Sequence, residues 1–323
     1  MTASESKKGR MLGLFYRLMR GENISPKMMA QEYGVSAKSI SRDMNEIKNF
    51  LSDSRDLVGN AEIRYISGSK VYCLELENGL LSKELILIIK MLMACRAIDK
   101  AALSQLISKL KAFTAGSDKE MIEKLIIKEM FHYQGVKHQC DNLVELVWKL
   151  TNCIYTQKEI TVSYYKMDGS RIERRLLPLS IMFSEFYFYL IADVKTAKDS
   201  SPHYYRVDRI TKVIEHRETF SIKYAKQFDE GDLRKKVQLM FPGINRKIKF
   251  EFSGPSVQAI LDRLPMSRIV EKKGEQYIIE AETYGTGINR FLLSQGAWVK
   301  VLEPESLVAE MKREIDTMFG RYC

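Results

Sequence analysis

Apolar residues recur every three or four positions over the first fifty residues of the chain, which is the period of amphipathic helices. The pattern over 11–19 predicts one such helix. A second helix begins at Ser25-Pro26, where serine caps the helix and proline occupies its first turn, and it ends before Gly34. Ser36 caps a third helix over 37–50. The stripe expected to be buried on this helix consists of Ile40, Met44, Ile47 and Leu51.

The pattern then changes to alternation of apolar and polar residues over 62–66 and 70–76, on either side of a Ser-Gly-Ser turn. Such alternation predicts a β-hairpin. The order helix, glycine-containing turn, helix and hairpin is typical of a winged helix-turn-helix, whose second paired helix enters the major groove of DNA. A helical bundle with a solvated face is the alternative interpretation.

The outer face of the third helix carries side chains that suit contacts with DNA. Arg42 suits a guanine edge and Asn45 an adenine edge, whereas Lys38 and Ser39 suit phosphates. The predicted DNA-binding residues are Ser36, Lys38, Ser39, Ser41, Arg42, Asn45 and Lys48.

Two further helices are predicted over 81–113 and 121–130. Positions 85–89 are apolar on every side of the helix, so we expect this helix to be covered all round, in a helical layer or in a dimer interface. His132, His138 and Cys140 lie close together in the sequence, but their spacing matches no common metal site. No metal is therefore predicted.

After a helix over 143–154, the period of the pattern becomes two. Short strands are predicted at 160–165, 172–177, 181–183, 187–192, 204–207 and 210–214. Pro178 is expected to end the second of these strands. Many short strands at such intervals are typical of a small β-barrel.

Aromatic rings and arginines occur on neighbouring strands of this set. One strand contains Tyr187-Phe188-Tyr189, and the next carries Arg206 and is followed by Arg209. Rings can stack on bases and guanidinium groups can bind phosphates, so the combination suits a nucleic-acid or nucleotide ligand.

A purely structural interpretation of the same residues is also open. The aromatic residues would then be core residues, and Asp208 would pair with Arg206 or Arg209. Alternation along the strand allows both interpretations at once. The residues expected to face inward are Phe186, Phe188 and Leu190, and those expected to face outward are Tyr187 and Tyr189.

The net charge of the chain is +10, and it is distributed unevenly. The segments 1–80, 81–140, 141–247 and 248–323 carry +2, +4, +5 and −1. A basic balance attracts polyanions without specifying which one. Because the N-terminal segment carries little net charge, DNA binding is expected to need two copies of the chain, on half-sites about 34 Å apart.

The composition indicates a cytoplasmic protein without a membrane partner. No apolar run approaches the roughly 18 residues that cross a bilayer, and the polar N-terminus does not resemble a secretory signal. The five cysteines lack paired spacing and fit reduced thiols. There are no paired carboxylates, no nucleophile–base arrangement and no phosphate-binding glycine loop, so neither an enzyme nor a cofactor is predicted.

Three motifs, in order, resemble the WYL domain of bacterial transcriptional regulators. The chain has Phe188-Tyr189-Leu190 where that family has Trp-Tyr-Leu, and Arg206-Val207-Asp208-Arg209-Ile210 where the family has Arg-x-x-Arg-Ile. The proline-containing strand of the family is similar to Arg175-Leu176-Leu177-Pro178-Leu179. The resemblance covers about 143–217. Phenylalanine in place of tryptophan keeps an aromatic ring but loses the indole N–H.

The flanking segments resemble the same family. Residues 35–43 are similar to the recognition-helix segment of a DeoR/YafY-like winged helix, and 291–304 with a closing helix over 306–319 resembles the WCX extension. The resemblance implies a multidomain α+β fold. Its parts are a winged helix over 1–78, a helical linker or dimerisation region over 79–140, a small Sm-like β-barrel over 141–240 and a C-terminal α/β extension over 245–323.

The resemblance also implies a function, that of a homodimeric transcriptional regulator. It would bind a double-stranded DNA operator, and its WYL domain would sense a single-stranded nucleic-acid or nucleotide effector. Motif position assigns the effector to Tyr189, Arg206 and Arg209, and neighbouring candidates in the sequence are Ser180, His203, Tyr205 and Arg175. The alternative is a non-regulatory accessory protein that binds single-stranded nucleic acid, for example in a defence system.

Overall fold

The structure is a computed structural model that describes residues 6–54, 61–76, 82–111, 116–195, 202–221 and 230–323. The chain divides into two compact units, Met1–Lys137 and His138–Cys323. The domain boundary predicted between residues 78 and 79 lies outside the described residues. Within them, no helix is both long enough and apolar enough to cross a membrane.

The first unit begins with three helices and a hairpin, as the hydrophobic pattern predicts. Its elements are α1 Lys7–Met19, α2 Pro26–Tyr33, α3 Ala37–Asp53, β1 Ala61–Ile66 and β2 Val71–Leu76. Gly34 ends α2 with a φ of +63°, a left-handed conformation that favours glycine. The Ser36 hydroxyl caps α3 by accepting a hydrogen bond from the Ser39 N–H at 3.1 Å. The predicted stripe of α3 is buried against α1 and β1.

The backbone between α1 and α2 also pairs with the hairpin. Ile24 exchanges two backbone hydrogen bonds of 2.8 Å with Tyr72 of β2. These bonds attach the hairpin to the helices. The attachment stabilises the hairpin, since a two-stranded hairpin alone is only marginally stable in water.

The long helix predicted over 81–113 is two helices in the structure, α4 Ser82–Cys95 and α5 Lys100–Lys111. Arg96 adopts a φ of +52°, which ends α4. The Asp99 carboxylate accepts the N–H groups of Ala101 and Ala102, both at 2.9 Å, and so begins α5. A third helix, α6 Gly116–His132, packs on both.

Within the single chain, α4 is covered on one face and exposed on the other. Leu85 and Ile89 are fully buried, but Leu87 and Met91 are 60% and 63% exposed. One face of α4 therefore packs in the helical layer, while the other presents apolar side chains at its surface.

The second unit opens with a helix and a five-stranded antiparallel sheet. The elements are α7 Leu143–Tyr155, β3 Lys158–Tyr165, β4 Arg171–Ser184, β5 Tyr187–Val194, β6 His203–Arg206 and β7 Ile210–Thr219. The strand order is β6-β5-β4-β3-β7. A 3-10 turn at Val207–Arg209 joins β6 to β7, the two strands at the edges of the sheet.

Two expectations for this sheet are wrong. The strands do not form a closed barrel, because β6 is hydrogen-bonded only to β5 and β7 only to β3 among the described strands. Pro178 does not end a strand either, since it lies in the middle of β4, which is 14 residues long. The register of β4 shifts between Pro178 and Ser180, and such a bulge accommodates a residue that has no N–H to donate.

The C-terminal part of the second unit is a four-stranded antiparallel sheet with helices. Its elements are α8 Glu230–Lys236, β8 Asn245–Phe252, α9 Val257–Arg263, β9 Ser267–Lys273, β10 Gln276–Tyr284, α10 Gly287–Ser294, β11 Val299–Glu303 and α11 Glu305–Phe319. The strand order is β11-β8-β10-β9. Phe250, Ile279, Leu292 and Leu307 are among the buried residues of its core. The mixture of helix and sheet agrees with the predicted α+β class.

Candidate functional site

The outer face of α3 presents four exposed polar side chains. Lys38, Arg42, Asn45 and Lys48 are exposed, and none has a hydrogen bond or ion pair with a residue that the structure describes. Arg42 and Asn45 are three positions apart, so they lie on the same face of the helix. The other predicted residues of α3 differ from them: Ser36 and Ser39 form the N-terminal cap, with hydroxyl oxygens 2.9 Å apart, and Ser41 is half-buried.

A buried ion pair, which the sequence analysis missed, holds α3 in place. Arg10 of α1 donates to the Asp43 carboxylate at 2.6 Å, and Asp43 is only 1% exposed. Lys7 and Glu46 add a second, exposed pair between the same two helices. The available signal was the position of Asp43 within the apolar stripe, because a buried carboxylate needs a partner.

In the second unit, Arg206 is already bound within the protein. Its guanidinium donates to both oxygens of Asp208, at 3.0 and 2.7 Å, and Asp208 is 2% exposed. The carbon of the guanidinium lies 3.4 Å from the centre of the Tyr187 ring. The N–H donors of this guanidinium are therefore bound to Asp208, and its flat face is stacked on Tyr187.

Tyr189 lies directly opposite Arg206 in the β5–β6 ladder, so the two side chains share a face of the sheet. Burial raises the pKa of the Tyr189 hydroxyl, and the charge of Arg206 opposes that rise. Leu190 is buried, as predicted, and Tyr187 and Tyr189 share the opposite face of β5. That face is not solvent-facing as expected, because Ile191 on it is fully buried and Tyr189 packs against the same buried cluster. Phe186, predicted to face inward, is instead exposed, because it lies in the turn before β5.

The first residues of the second unit pack against Asp208. The backbone N–H of Gln139 donates to the Asp208 carbonyl at 3.2 Å. The imidazole of His138 lies 4.0 Å from the Asp208 carboxylate, and neither of its buried ring nitrogens has a hydrogen-bond partner among the described residues. The spacing of His138 in the sequence did not indicate this contact, because Asp208 is distant along the chain.

Arg209 has different surroundings from Arg206. It ends the 3-10 turn, is half-buried, and forms no hydrogen bond or ion pair within the described parts of the chain. It lines a cavity of about 260 Å³ whose other lining residues are Gln139, Tyr165, Lys166, Met167 and Gly169. Of the two interpretations left open by the sequence, the structural pairing with Asp208 therefore holds for Arg206 and not for Arg209.

The remaining predicted ligand residues do not join one cluster. Arg175 is bound to Glu159, with its Nε 2.8 Å from the carboxylate, and Ser180 is buried at the β4 bulge. His203 and Tyr205 are opposite Ala192 and Leu190, on the other face of the sheet from Tyr189. There, the rings of His203 and Tyr205 are stacked with centroids 6.5 Å apart.

Comparison with known proteins agrees with the resemblance inferred from the motifs. Residues 145–228 match the WYL domain, and residues 245–319 match the WCX domain. No curated protein matches the chain.

Two solved structures are distant neighbours. Proteasome accessory factor B/C (PafBC) of Arthrobacter aurescens is 18% identical with a TM-score of 0.31, over 99% of this chain and 49% of that chain. A crystal structure of a CRISPR Cas-related protein is 15% identical with a TM-score of 0.38, over 76% of this chain and 75% of that chain. The chain spans about half the length of the PafBC chain. The two domain matches show that this protein contains a WYL domain followed by a WCX domain.

Proposed function

We propose that the protein is a DNA-binding transcriptional regulator whose WYL domain binds a nucleic-acid or nucleotide ligand and thereby changes the affinity for a promoter. The observation that carries this proposal is the outer face of α3. Its exposed Arg42 and Asn45 have no partner among the described residues, although the helix beneath them is firmly held. The WYL match over residues 145–228 supports the proposal, because it gives the chain a second domain, separate from α3, that could hold the ligand.

The chemistry of α3 suits the major groove of duplex DNA. An arginine can donate two hydrogen bonds to a guanine edge, and an asparagine can exchange two with an adenine edge. Lys38 and Lys48, which lie on either side of this pair in α3, can bind phosphates. The preceding turn and the following hairpin are the surroundings expected of a recognition helix in a winged helix-turn-helix domain.

A dimer is part of this proposal. The net charge of +2 over residues 1–80 gives weak attraction to DNA, so two copies on neighbouring half-sites would supply the missing affinity. The exposed Leu87 and Met91 of α4 offer an apolar surface for a second copy. Sedimentation of the full chain tests the dimer: a substitution of Leu87 and Met91 by serine should yield a monomer.

Selection of genomic fragments on the full protein, followed by fluorescence anisotropy with the selected duplex, tests the proposal. Arg42→Ala should weaken binding of the specific duplex about tenfold, since one bidentate base contact is lost. Lys109→Ala removes one exposed positive charge elsewhere in the first unit and should leave binding nearly unchanged.

Equal affinities of the Arg42→Ala and Lys109→Ala variants would show that α3 is not the DNA-binding helix. Tighter binding of single strands than of any duplex would favour the accessory protein that binds single-stranded nucleic acid instead.

A further inference from the structure

We propose that the WYL domain binds one phosphate-bearing nucleotide unit in the cavity beside Arg209, with Lys166 and Arg209 on the phosphate and Tyr165 on the base. In this assignment Arg206 positions the site and does not bind the ligand. The inference rests on the proposed function, which supplies the expectation of a nucleic-acid or nucleotide ligand, and it specifies where that ligand binds.

Arg206 is a poor phosphate ligand because its donors are in use. Two of its N–H groups donate hydrogen bonds to the Asp208 carboxylate, which neutralises its positive charge. An incoming phosphate would have to displace a carboxylate that is almost completely buried. That displacement would leave a buried carboxylate unpaired, which is strongly unfavourable.

Arg209 and Lys166, in contrast, bring two positive charges to the same cavity without any ion pair among the described residues. Lys166 is exposed and lies at the first position of the tight turn between β3 and β4. Two backbone hydrogen bonds close this turn: Lys166 donates to the Ser170 carbonyl at 2.9 Å, and Gly169 donates to the Lys166 carbonyl at 3.1 Å. The backbone of Lys166 is therefore fixed before any ligand arrives.

The acidic residue of the same turn is also bound within the turn. The Asp168 carboxylate accepts the backbone N–H and the hydroxyl of Ser170, at 2.8 and 2.6 Å. These bonds lower the pKa of Asp168, so this carboxylate is ionised at neutral pH. Both bonds go to the same oxygen of Asp168, and the charge of Lys166 also lowers this pKa, although the two side chains form no ion pair among the described residues.

The other residues of the cavity suit a base. Tyr165 presents a half-buried ring, and Met167 adds an exposed thioether beside it. An aromatic face is the usual platform for a base in single-stranded nucleic acids, and the side-chain amide of Gln139 can exchange hydrogen bonds with a base edge.

The cavity is small and open to solvent, so it can hold one part of a larger ligand. About 260 Å³ lies just below the range of roughly 300–1,000 Å³ that is usual for small-molecule sites. We therefore expect a single nucleotide unit in the cavity, either a free nucleotide or one unit of a strand.

Fluorescence anisotropy of the full protein tests this assignment, with a fluorescein-labelled oligothymidylate of about 12 nucleotides as the probe. Arg209→Ala and Lys166→Ala should each raise the Kd at least about tenfold, because each loses a charge-assisted phosphate contact. The matched control is Arg217→Ala, which removes an exposed positive charge from β7 of the same sheet and should change the Kd less than about twofold.

Thymidine monophosphate as a competitor distinguishes the two sources of the phosphate. Displacement of the probe shows that a free nucleotide occupies the cavity, and lack of displacement shows that the cavity takes a unit of a strand. Because Lys166 is exposed in a turn, its variant tests the site even if Arg209→Ala unfolds.

Two results would overturn the assignment, and they differ in their consequences. If the wild-type chain binds the probe while Arg209→Ala and Lys166→Ala behave like Arg217→Ala, only the location of the site is wrong. If the wild-type chain binds neither the probe nor the monophosphate, the ligand-sensing half of the proposed function fails as well. Duplex binding through α3, measured on the same proteins, is judged independently of both results.

Discussion

At the scale of single residues, Asp208 determines what its two neighbouring arginines can do. Its carboxylate binds the guanidinium of Arg206 with two hydrogen bonds, and its backbone carbonyl accepts a hydrogen bond from Gln139. Arg209 follows Asp208 directly, yet it lies at the other end of the 3-10 turn and lines the cavity. The buried carboxylate of Asp208 thus neutralises Arg206 and leaves the guanidinium of Arg209 without an ion pair among the described residues.

The pair of Arg206 and Asp208 predicts a large loss of stability on truncation. Arg206→Ala leaves a buried carboxylate without its partner and removes the stack on Tyr187, so the free energy of unfolding should fall by about 2–3 kcal/mol. Urea denaturation followed by tryptophan fluorescence measures this loss, because both tryptophans, Trp148 and Trp298, belong to the second unit. Arg174→Ala, at an exposed position of β4, should cost less than about 0.5 kcal/mol. Equal stabilities of the two variants would contradict the structural role of Arg206.

Glu159 gives a prediction about pH. Hydrogen bonds from Lys195, at 2.7 Å, and from Arg175 lower the pKa of this carboxyl in the folded protein. A folded-state pKa below the unfolded value of about 4.3 means that the stabilisation is complete above that pH and is lost as the pH falls through the folded pKa. Glu159→Gln should therefore be less stable than wild type at neutral pH, with the difference shrinking below about pH 4. Denaturation curves at several pH values check this, and a constant difference would contradict it.

At the scale of elements, the orientation of α3 depends on its attachment to α1. The apolar stripe of α3 fixes which face is buried, and the pair of Arg10 and Asp43 fixes the two helices against each other near that stripe. Because the same stripe determines the outward direction of Arg42 and Asn45, a change inside this helix pair should alter DNA binding without touching the outer face.

Arg10→Ala tests the first step of this dependence, the stabilisation of α3 against α1. The substitution leaves the buried Asp43 carboxylate unpaired, so we expect a loss of about 3 kcal/mol in the first unit. The transition seen by far-UV circular dichroism should shift, while the transition seen by tryptophan fluorescence should stay, because the first unit contains no tryptophan. A shift of the fluorescence transition alone would show that this pair does not stabilise the first unit.

The sequence predicted regular elements well and their interruptions poorly. The periods of α1, α3 and the first hairpin came directly from which residues face the core. The hydrophobic pattern did not predict the break at Arg96–Asp99 or the continuation of β4 through Pro178. A left-handed residue and a bulge depend on partners that are distant in the sequence. For the same reason, Arg206 and Arg209 looked equivalent: only the 3-10 turn between β6 and β7 separates their surroundings.

At the scale of the whole molecule, the two proposed sites lie in different compact units that are joined by one continuous chain. The second unit begins at His138, and Gln139 lines the cavity proposed for the ligand. A ligand in this proposed site would therefore contact the segment that leads to the first unit. This continuity provides a physical route for coupling, in which the ligand favours one arrangement of the chain over another.

Such coupling has a quantitative consequence. If an oligothymidylate changes the affinity for the specific duplex by some factor, the duplex must change the affinity for the oligothymidylate by the same factor, usually about 5–150-fold. Anisotropy titrations in both directions on the full protein measure the two factors. Gln139→Ala should keep duplex affinity in the absence of the oligonucleotide but bring both factors close to one, because the contact between ligand and connecting segment is lost. Arg217→Ala, outside the cavity, should keep both factors at the wild-type value. A Gln139→Ala variant with undiminished coupling would show that the signal reaches α3 by a route other than this segment.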